Sequence, residues 1–191
     1  MVRSGGRRRS PKDDDAELGA AVERAQAGDE TAFTVVYRLV DPLLLGYVRA
    51  IVGPAEAEDV TSETWLEIAR DLGRFRGDGA GFRGWAATIA RHRALDHLRW
   101  QRSRPRVTVL EQDVLELPGA EDTAAQALEN LSTEQAVALI ATLPPDQAEA
   151  VVLRVLVGLD GASAARVLGK RPGAVRTASY RGLKRLARLL G

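Results

Sequence analysis

The sequence predicts an all-α protein of two small helical domains joined by a flexible acidic linker, the second domain being a helix-turn-helix. Apolar residues recur at spacings of three and four through both halves of the 191-residue chain, which is the period of an amphipathic helix. Strand signals are nearly missing. The only strand-like run, residues 107–110, is too short and isolated to form a sheet. The segment between the halves is acidic, and Pro118 and Gly119 interrupt it.

The chain begins with a polar segment and two short helical patterns. Residues 1–15 contain hardly any apolar group, so they are predicted to form a disordered tail. A helix is predicted from Glu17 to Gly28, where glycine ends the periodic pattern. Asp29 is a typical N-cap residue and is expected to open the second helix.

Two prolines divide the next part of the pattern. Asp41 followed by Pro42 predicts a new helix start, since an N-cap and a first-turn proline suit that position. Gly53 and Pro54 predict another break, after which a helix is expected to run to about Leu72.

A glycine-rich loop at residues 76–81 leads into a long arginine-rich helix predicted from about Phe82 to Arg102. This helix completes a first domain over residues 16–104. Residues 105–131 are acidic and rich in alanine, and they are predicted to form the linker.

The second domain is predicted over residues 132–191. Its first helix is expected to end at Leu143, and a second helix to occupy residues 146–157. A turn, a short helix over residues 162–168 and a last helix beginning at Pro172 complete a helix-turn-helix. In such a motif the last helix presents its N-terminal side chains to the bases of the major groove.

Composition excludes several classes of protein. The chain contains no cysteine, which excludes disulfides, thiolate nucleophiles and cysteine-ligated zinc. Its apolar runs are shorter than a membrane-spanning helix needs, and no apolar segment follows Arg7, Arg8 and Arg9 as a secretory signal requires. We therefore expect a soluble, cytoplasmic protein.

Charge alternates along the chain although the net charge is only +1. Residues 17–82 hold 6 basic and 12 acidic side chains, whereas residues 83–106 hold 7 arginines and a single acid. Residues 107–146 hold 8 acids and no lysine or arginine, and residues 166–191 hold 8 basic side chains and no acid. Two separate basic patches indicate contact with a polyanion, and the acidic surfaces remain for other partners.

Three stretches of sequence resemble the extracytoplasmic-function group of bacterial RNA polymerase sigma factors. Residues 57–65 read AEDVTSETW and are similar to the helix of that family that binds core polymerase. The motifs FRGW at 82–85, IARH at 89–92 and DHLR at 96–99 are similar to its promoter-melting helix. The motifs LPP at 143–145, VLR at 152–154, AARVLG at 164–169 and GAVR at 173–176 are similar to the domain of the family that reads the minus-thirty-five element. Four positions depart from the usual residues of the family: Ser62, His92, Ala178 and Ser179.

The resemblance implies three sets of functional residues. The set expected to bind the beta-prime clamp helices of core polymerase forms an acidic stripe and one aromatic: Glu56, Asp59, Glu63, Trp65 and Glu67. The set expected to hold and open the minus-ten element supplies cations, aromatic faces and polar groups: Phe75, Arg76, Arg83, His92, Arg93, Asp96, Arg99 and Trp100. The set expected to read the minus-thirty-five element lies on the last helix and just before it: Arg171, Pro172, Gly173, Arg176, Thr177, Tyr180, Arg181 and Lys184.

The resemblance also implies the partners. They are core RNA polymerase, through its beta-prime clamp helices and beta flap, and promoter DNA, with an anti-sigma factor as a further expectation. No catalytic residue, cofactor or metal is predicted. One alternative left open is a stand-alone helix-turn-helix regulator. Another is a helical enzyme with a metal at His92 and Asp96, which the absence of a third ligand on the same helix face disfavours.

Overall fold

The computed structural model describes residues 11–103 and 133–190, and every regular element in these ranges is helical. The first unit has four helices: α1 (Pro11–Gln26), α2 (Glu30–Val52), α3 (Ala57–Asp71) and α4 (Gly79–Ser103), with a 3₁₀ turn at Leu72–Arg74 after α3. The second unit has four more: α5 (Thr133–Ile140), α6 (Pro145–Val151), α7 (Gly161–Leu168) and α8 (Pro172–Leu190), with α6 continuing as a π-helical turn at Val152–Leu156.

Helix α2 forms the centre of the first unit. Its apolar face includes Val36, Val40 and Leu44, all of which are fully buried among α1, α3 and α4. Gln26, at the end of α1, donates hydrogen bonds to the carbonyls of Leu72 at 2.8 Å and Phe75 at 2.9 Å. These two bonds fix the loop that precedes α4.

Three of the predicted helix starts are wrong. Helix α4 begins at Gly79 rather than near Phe82, so the last three residues of the predicted glycine-rich loop are helical. Helix α1 begins at Pro11, so residues 11–15 are helical rather than part of a disordered tail, while residues 1–10 lie outside the described range. Asp15 pairs with Arg83 of α4, which anchors this first turn. Helix α2 runs through Pro42 without a restart, because Asp41 accepts a hydrogen bond from the Trp65 indole at 2.9 Å instead of capping a new helix. Burial of the α2 side chains on both sides of Pro42 thus outweighs the loss of a backbone hydrogen bond that a proline causes inside a helix.

The predicted helix-turn-helix is present in the second unit. Asp160 caps α7 by accepting a hydrogen bond from the Ser163 backbone N–H at 2.6 Å. Gly169 ends α7 in the left-handed conformation, with φ of 62°, where a residue with a side chain would be strained.

The two units pack against each other, and their apolar side chains form one continuous core. Helix α2 contacts α5, and an added Cβ at Gly46 would lie 3.4 Å from Val137. Helix α4 contacts α7. The sequence predicted two domains, and this docking of one on the other was not expected. The predicted acidic linker, residues 105–131, lies outside the described residues.

Across the described ranges, 11–103 and 133–190, no helix combines the length and the apolar character that crossing a membrane would require.

Candidate nucleic-acid interface

The exposed face of α8 gathers the residues predicted to read duplex DNA. Along an α-helix of 3.6 residues per turn, Gly173, Arg176, Thr177, Tyr180 and Lys184 fall within an arc of about 100°. All of these are exposed except Lys184, which is half-buried. Arg171, Pro172 and Arg181 extend the same exposed surface. The face is cationic and projects from the unit, as entry into a major groove requires.

The opposite face of α8 is its anchor. Val175 and Leu186 are fully buried, and Ala178 and Ser179 are nearly so. These last two residues depart from the usual family pattern, and the structure buries both of them away from the exposed face. The small side chains therefore serve packing, and the exposed face keeps its arginines.

A basic cleft continues from this face toward the end of α8. A cavity of about 200 Å³ is lined by Gln147 of α6 together with Arg181, Lys184, Arg185 and Arg188. Sequence reasoning did not include Arg185 and Arg188 in the site. Arg185 and Arg188 lie four residues after Arg181 and Lys184, and this helical spacing was the signal that could have found them.

The predicted acidic stripe lies along α3. Asp59 and Glu63 are exposed, and Glu56 and Glu67 are half-buried beside α4. Glu67 accepts a hydrogen bond from Arg93 Nε at 2.6 Å, and Glu56 Oε2 lies 3.4 Å from His97 Nε2. Two acids of the stripe thus face solvent, Glu67 holds α3 to α4, and Glu56 lies beside α4 just before α3 begins.

Trp65 lies on another side of α3 from the stripe. It is 7% exposed, its indole donates to Asp41, and its ring packs against Tyr37 at 4.8 Å and Phe33 at 6.0 Å between centroids. The structure therefore places Trp65 in the core of the first unit. Leu66, which sequence reasoning missed, is 74% exposed next to the acidic stripe.

The residues predicted to hold the minus-ten element fall into two groups. His92, Asp96, Arg99 and Trp100 are exposed on the C-terminal half of α4, where Arg99 pairs with Asp96 at 2.8 Å. An open groove of about 470 Å³ between α3 and α4 brings Arg93, Asp96 and Trp100 together with Glu56, Asp59 and Glu63 of the stripe.

The second group lies around the N-terminus of α4. Phe75 is buried in a cluster with Phe82 and Trp85, with ring centroids 5.3 Å from both. Arg76 turns back on its own loop and donates to the carbonyls of Gly73 and Phe75. Arg83 is 13% exposed and forms an ion pair with Asp15. Phe75 and Arg83 thus stabilise the fold in this conformation, and neither presents a free face to DNA.

A groove of about 390 Å³ lies beside this second group and has walls from both units. The first unit contributes its loop and α4, through Arg74, Phe75, Arg76, Ala80, Gly81, Gly84, Trp85 and Thr88. The second unit contributes Ser163, Arg166 and Val167 of α7. The helix-turn-helix therefore faces the part of the first unit that was predicted to hold single-stranded DNA.

His92 and Asp96 are the pair that the sequence left open as ligands of a metal. Among the side chains of the described residues, no group of three histidines or acids lies close enough to hold a metal ion. A pair of ligands without a third does not make a protein metal site.

Comparison with known proteins gives one consistent result. Residues 36–104 match the family described as sigma-70 region 2, and residues 133–186 match sigma-70 region 4. The ECF RNA polymerase sigma factor BldN of Streptomyces coelicolor is 40% identical over 186 residues, which cover 96% of this chain and 70% of that protein. The ECF RNA polymerase sigma factor ShbA of Streptomyces griseus is 35% identical, with 93% of this chain and 97% of that protein covered.

Two solved structures share the fold. One is CnrH in complex with the cytosolic domain of CnrY, with a TM-score of 0.60 and 23% identity over 92% of this chain and 97% of that chain. The other is the sigma factor RpoE in complex with the anti-sigma factor NepR from Bartonella quintana. Its TM-score is 0.60 at 22% identity, with 83% of this chain and 96% of that chain covered.

Proposed function

The chain belongs to the extracytoplasmic-function group of sigma-70 RNA polymerase sigma factors, and from this premise we propose how its residues divide the work. Proteins of this family direct core RNA polymerase to promoters and initiate transcription there. They are initiation factors and not enzymes. The first unit, α1 to α4, binds core polymerase and opens the minus-ten element. The second unit, α5 to α8, reads the minus-thirty-five element.

The single observation that carries this assignment is the exposed basic face of α8 in the unit that matches sigma-70 region 4. Arg176 and Arg181 are exposed there, and an arginine fork recognises guanine through two hydrogen bonds. Lys184, Arg185 and Arg188 surround the adjoining cleft, where cations suit the phosphates beside the groove. Base reading is thus assigned to the first half of α8 and phosphate contact to the second half.

The first unit carries the contacts to polymerase and to single-stranded DNA. Asp59 and Glu63 offer exposed carboxylates to a basic helix of the polymerase clamp. On α4, Trp100 is 52% exposed and lies beside Arg99, so a stacking face and a cation are adjacent. The stand-alone regulator that the sequence left open would have no use for these surfaces.

Two further features of the function are proposals of the same kind. We place the protein in the cytoplasm, where polymerase and promoters are found. Because the CnrH and RpoE structures are described as complexes with CnrY and with an anti-sigma factor, we also assign this chain an anti-sigma partner.

Reconstituted transcription tests the division of labour. Bacterial core polymerase, a promoter library and either wild type or Arg176→Ala are combined, and the transcripts are sequenced. We expect Arg176→Ala to lose preference at one minus-thirty-five position, with discrimination reduced by about 1–3 kcal/mol, while core binding is unchanged. Arg188→Ala on the same helix is the matched control and should weaken all promoters alike. If core polymerase with wild type gives no promoter-dependent transcript, the proposed function is wrong.

A further inference from the structure

The side-chain amide of Gln26 bridges two carbonyls of the loop before α4. Gln26 is the last residue of α1, and its Nε2 lies 2.8 Å from the carbonyl oxygen of Leu72 and 2.9 Å from that of Phe75. Both partners are acceptors, so only the NH2 group can face them, with one N–H donated to each. A side chain 46 and 49 positions away in the sequence thus holds the start of this loop.

The turn from which Gln26 reaches the loop is itself fixed. The chain passes from α1 to α2 through Gly28, whose φ of 94° lies in the region that favours glycine. The side chain of Asp29 caps α2 at the Ala32 N–H and also pairs with Arg24 of α1. The Gln26 side chain therefore projects from a closed turn and not from a helix end that frays.

The Phe75 carbonyl has a second donor, which is exposed. Arg76 Nη1 donates to this carbonyl at 2.6 Å and to the carbonyl of Gly73 at 2.7 Å. Water can replace Arg76 at the exposed bond to Gly73, whereas a partly buried carbonyl without any donor loses free energy. Gln26 supplies that donor at Phe75 whether Arg76 is present or not.

The same loop borders the groove that was predicted to hold single-stranded DNA. The Phe75 ring is packed against Phe82 and Trp85, while Arg74 and Arg76 line the groove of about 390 Å³ beside it. Arg76 can turn toward a phosphate in this groove by giving up one shared bond and one exposed bond. A guanidinium makes stronger hydrogen bonds to a phosphate than to a neutral carbonyl.

Helix α1 does not depend on Gln26 for its place in the first unit. Leu18 and Val22 of α1 are each 2% exposed, and Asp15 pairs with Arg83 of α4. Burial of these apolar side chains fixes the helix against its neighbours. The amide of Gln26 therefore acts mainly on the loop that it contacts.

We infer that Gln26 is a positioning residue for minus-ten recognition, which holds the Leu72 and Phe75 carbonyls so that Arg76 can leave the loop and bind a DNA phosphate while the loop keeps its shape. This inference rests on the proposed assignment of minus-ten recognition to the first unit. Gln26 lies outside residues 36–104, the range that matches sigma-70 region 2, so its role follows from its contacts and not from that match.

The salt dependence of DNA binding tests the coupling between Gln26 and Arg76. Bacterial core polymerase carrying the full chain is titrated with a fluorescent forked promoter probe, single-stranded at the minus-ten region, at several salt concentrations. Each phosphate contact to a single strand contributes about 0.7 to the slope of log affinity against log salt. We expect Arg76→Ala to reduce the slope by about this amount in the wild-type background.

In the Gln26→Met background, Arg76→Ala should leave the slope unchanged, because Arg76 is then the side chain that must remain on the Phe75 carbonyl. Gln26→Met alone should already show the reduced slope. It should also bind the probe about tenfold more weakly, which is the factor expected for two lost hydrogen bonds of ordinary net strength.

Two variants separate positioning from stability. Val22→Ala removes buried apolar groups from the same helix without touching the loop carbonyls, so it should unfold at lower urea and keep the wild-type slope. Gln26→Glu has the shape of glutamine but no N–H to donate at neutral pH, so it should behave as Gln26→Met does and replaces it if that variant fails to fold.

Either of two results would overturn the role of Gln26. One is a reduction of the slope by Arg76→Ala that is equal in the two backgrounds. The other is no reduction by Arg76→Ala in the wild-type background. Promoter-dependent transcription by the wild type is measured alongside, and its absence would overturn the proposed function instead.

Discussion

At the scale of single residues, Asp160 links local chemistry to the reading helix. Its carboxylate accepts the Ser163 backbone N–H at 2.6 Å and so fixes the start of α7, one of the helices against which α8 packs. That backbone hydrogen bond is the main cause that lowers the pKa of Asp160, with a contribution from the Ser163 side chain. The cap therefore stabilises the fold where the carboxyl is ionised. This stability is present above the unfolded pKa of about 3.9 and is lost as pH falls through the lower, folded value.

We expect Asp160→Ala to lower the free energy of unfolding by about 1 kcal/mol at pH 7. The difference between wild type and Asp160→Ala should shrink as the pH falls below about 4, because the protonated carboxyl is a poorer acceptor for the Ser163 N–H. Urea unfolding followed by circular dichroism at several pH values measures this difference. Asp160→Asn keeps the cap without the charge, so its advantage over Asp160→Ala should not depend on pH. A wild-type advantage that is constant down to pH 3 would contradict the assignment.

The sequence predicted the chemical type of the site residues better than it predicted which of them are exposed. Nothing in the sequence distinguishes Trp65, which donates to Asp41 inside the core, from Trp100, which is 52% exposed, because both lie within two residues of charged side chains. Arg83 has the same ambiguity, since its partner Asp15 is 68 positions away and was assigned to a tail. The face of α8 was predictable because the positions of a single helix determine which side chains share a side.

At the scale of elements, α8 has a close contact on one side and open space on the other. An added Cβ at Gly182 would lie 2.7 Å from Val151 Cγ2 and 3.2 Å from Leu143 Cδ1, whereas one at Gly173 would meet nothing within 4 Å. Gly182 is therefore where α8 crosses α6 most closely. Gly173 lies in the first turn of the same helix, at the exposed face.

The two glycines should respond to alanine with opposite signs. Alanine favours a helix by about 1 kcal/mol over glycine, but overpacking a buried contact costs about 1–3 kcal/mol. We expect Gly182→Ala to lower the free energy of unfolding by about 1 kcal/mol and Gly173→Ala to leave it unchanged or raise it slightly. Urea unfolding of both variants under the same conditions measures the contrast. Equal effects at the two positions would show that the close crossing at Gly182 does not determine stability.

Element boundaries were predictable where a local signal acts alone. Asp29 was confirmed as the cap that opens α2, since its side chain accepts the Ala32 N–H at 3.0 Å. At Pro42 the local signal predicted a new helix, but α2 continues through it. The reason is that Val40 and Leu44 are buried on either side and Asp41 makes a tertiary hydrogen bond instead of a cap. The π-helical turn at Val152–Leu156 also had no local signal.

At the scale of the whole molecule, the sequence predicted two helical units, each with a basic patch, but not the contact between the units. Tyr47 fits the apolar face of α2, and Glu149 has no feature that distinguishes it from a solvated acid. Their meeting, 102 residues apart, depends on how two complete units fit together. A pattern of period 3.6 defines the inner face of each helix and contains no information about which outer faces meet.

The separation of tasks between the units leads to a final prediction. Reversing the charge at Asp59 and Glu63 places two lysines on the exposed part of the acidic stripe, where they repel a basic polymerase surface. We expect Asp59→Lys with Glu63→Lys to lose core binding and promoter-dependent transcription. The second unit is unchanged in this variant, so binding of duplex DNA by the free chain should not fall. Native gel shifts with core polymerase and fluorescence anisotropy with a duplex minus-thirty-five probe measure the two activities.

A matched control separates position from charge in this test. Glu58 is also exposed on α3 but lies about 140° around the helix from Glu63, outside the stripe. Glu58→Lys should therefore retain core binding. Because added lysines raise nonspecific attraction to DNA, each measurement is repeated at several salt concentrations, and the salt slope of the double variant is compared with that of Glu58→Lys. Retained transcription in the double variant would show that α3 docks through another surface, for which the exposed Leu66 beside the stripe is the next residue to change.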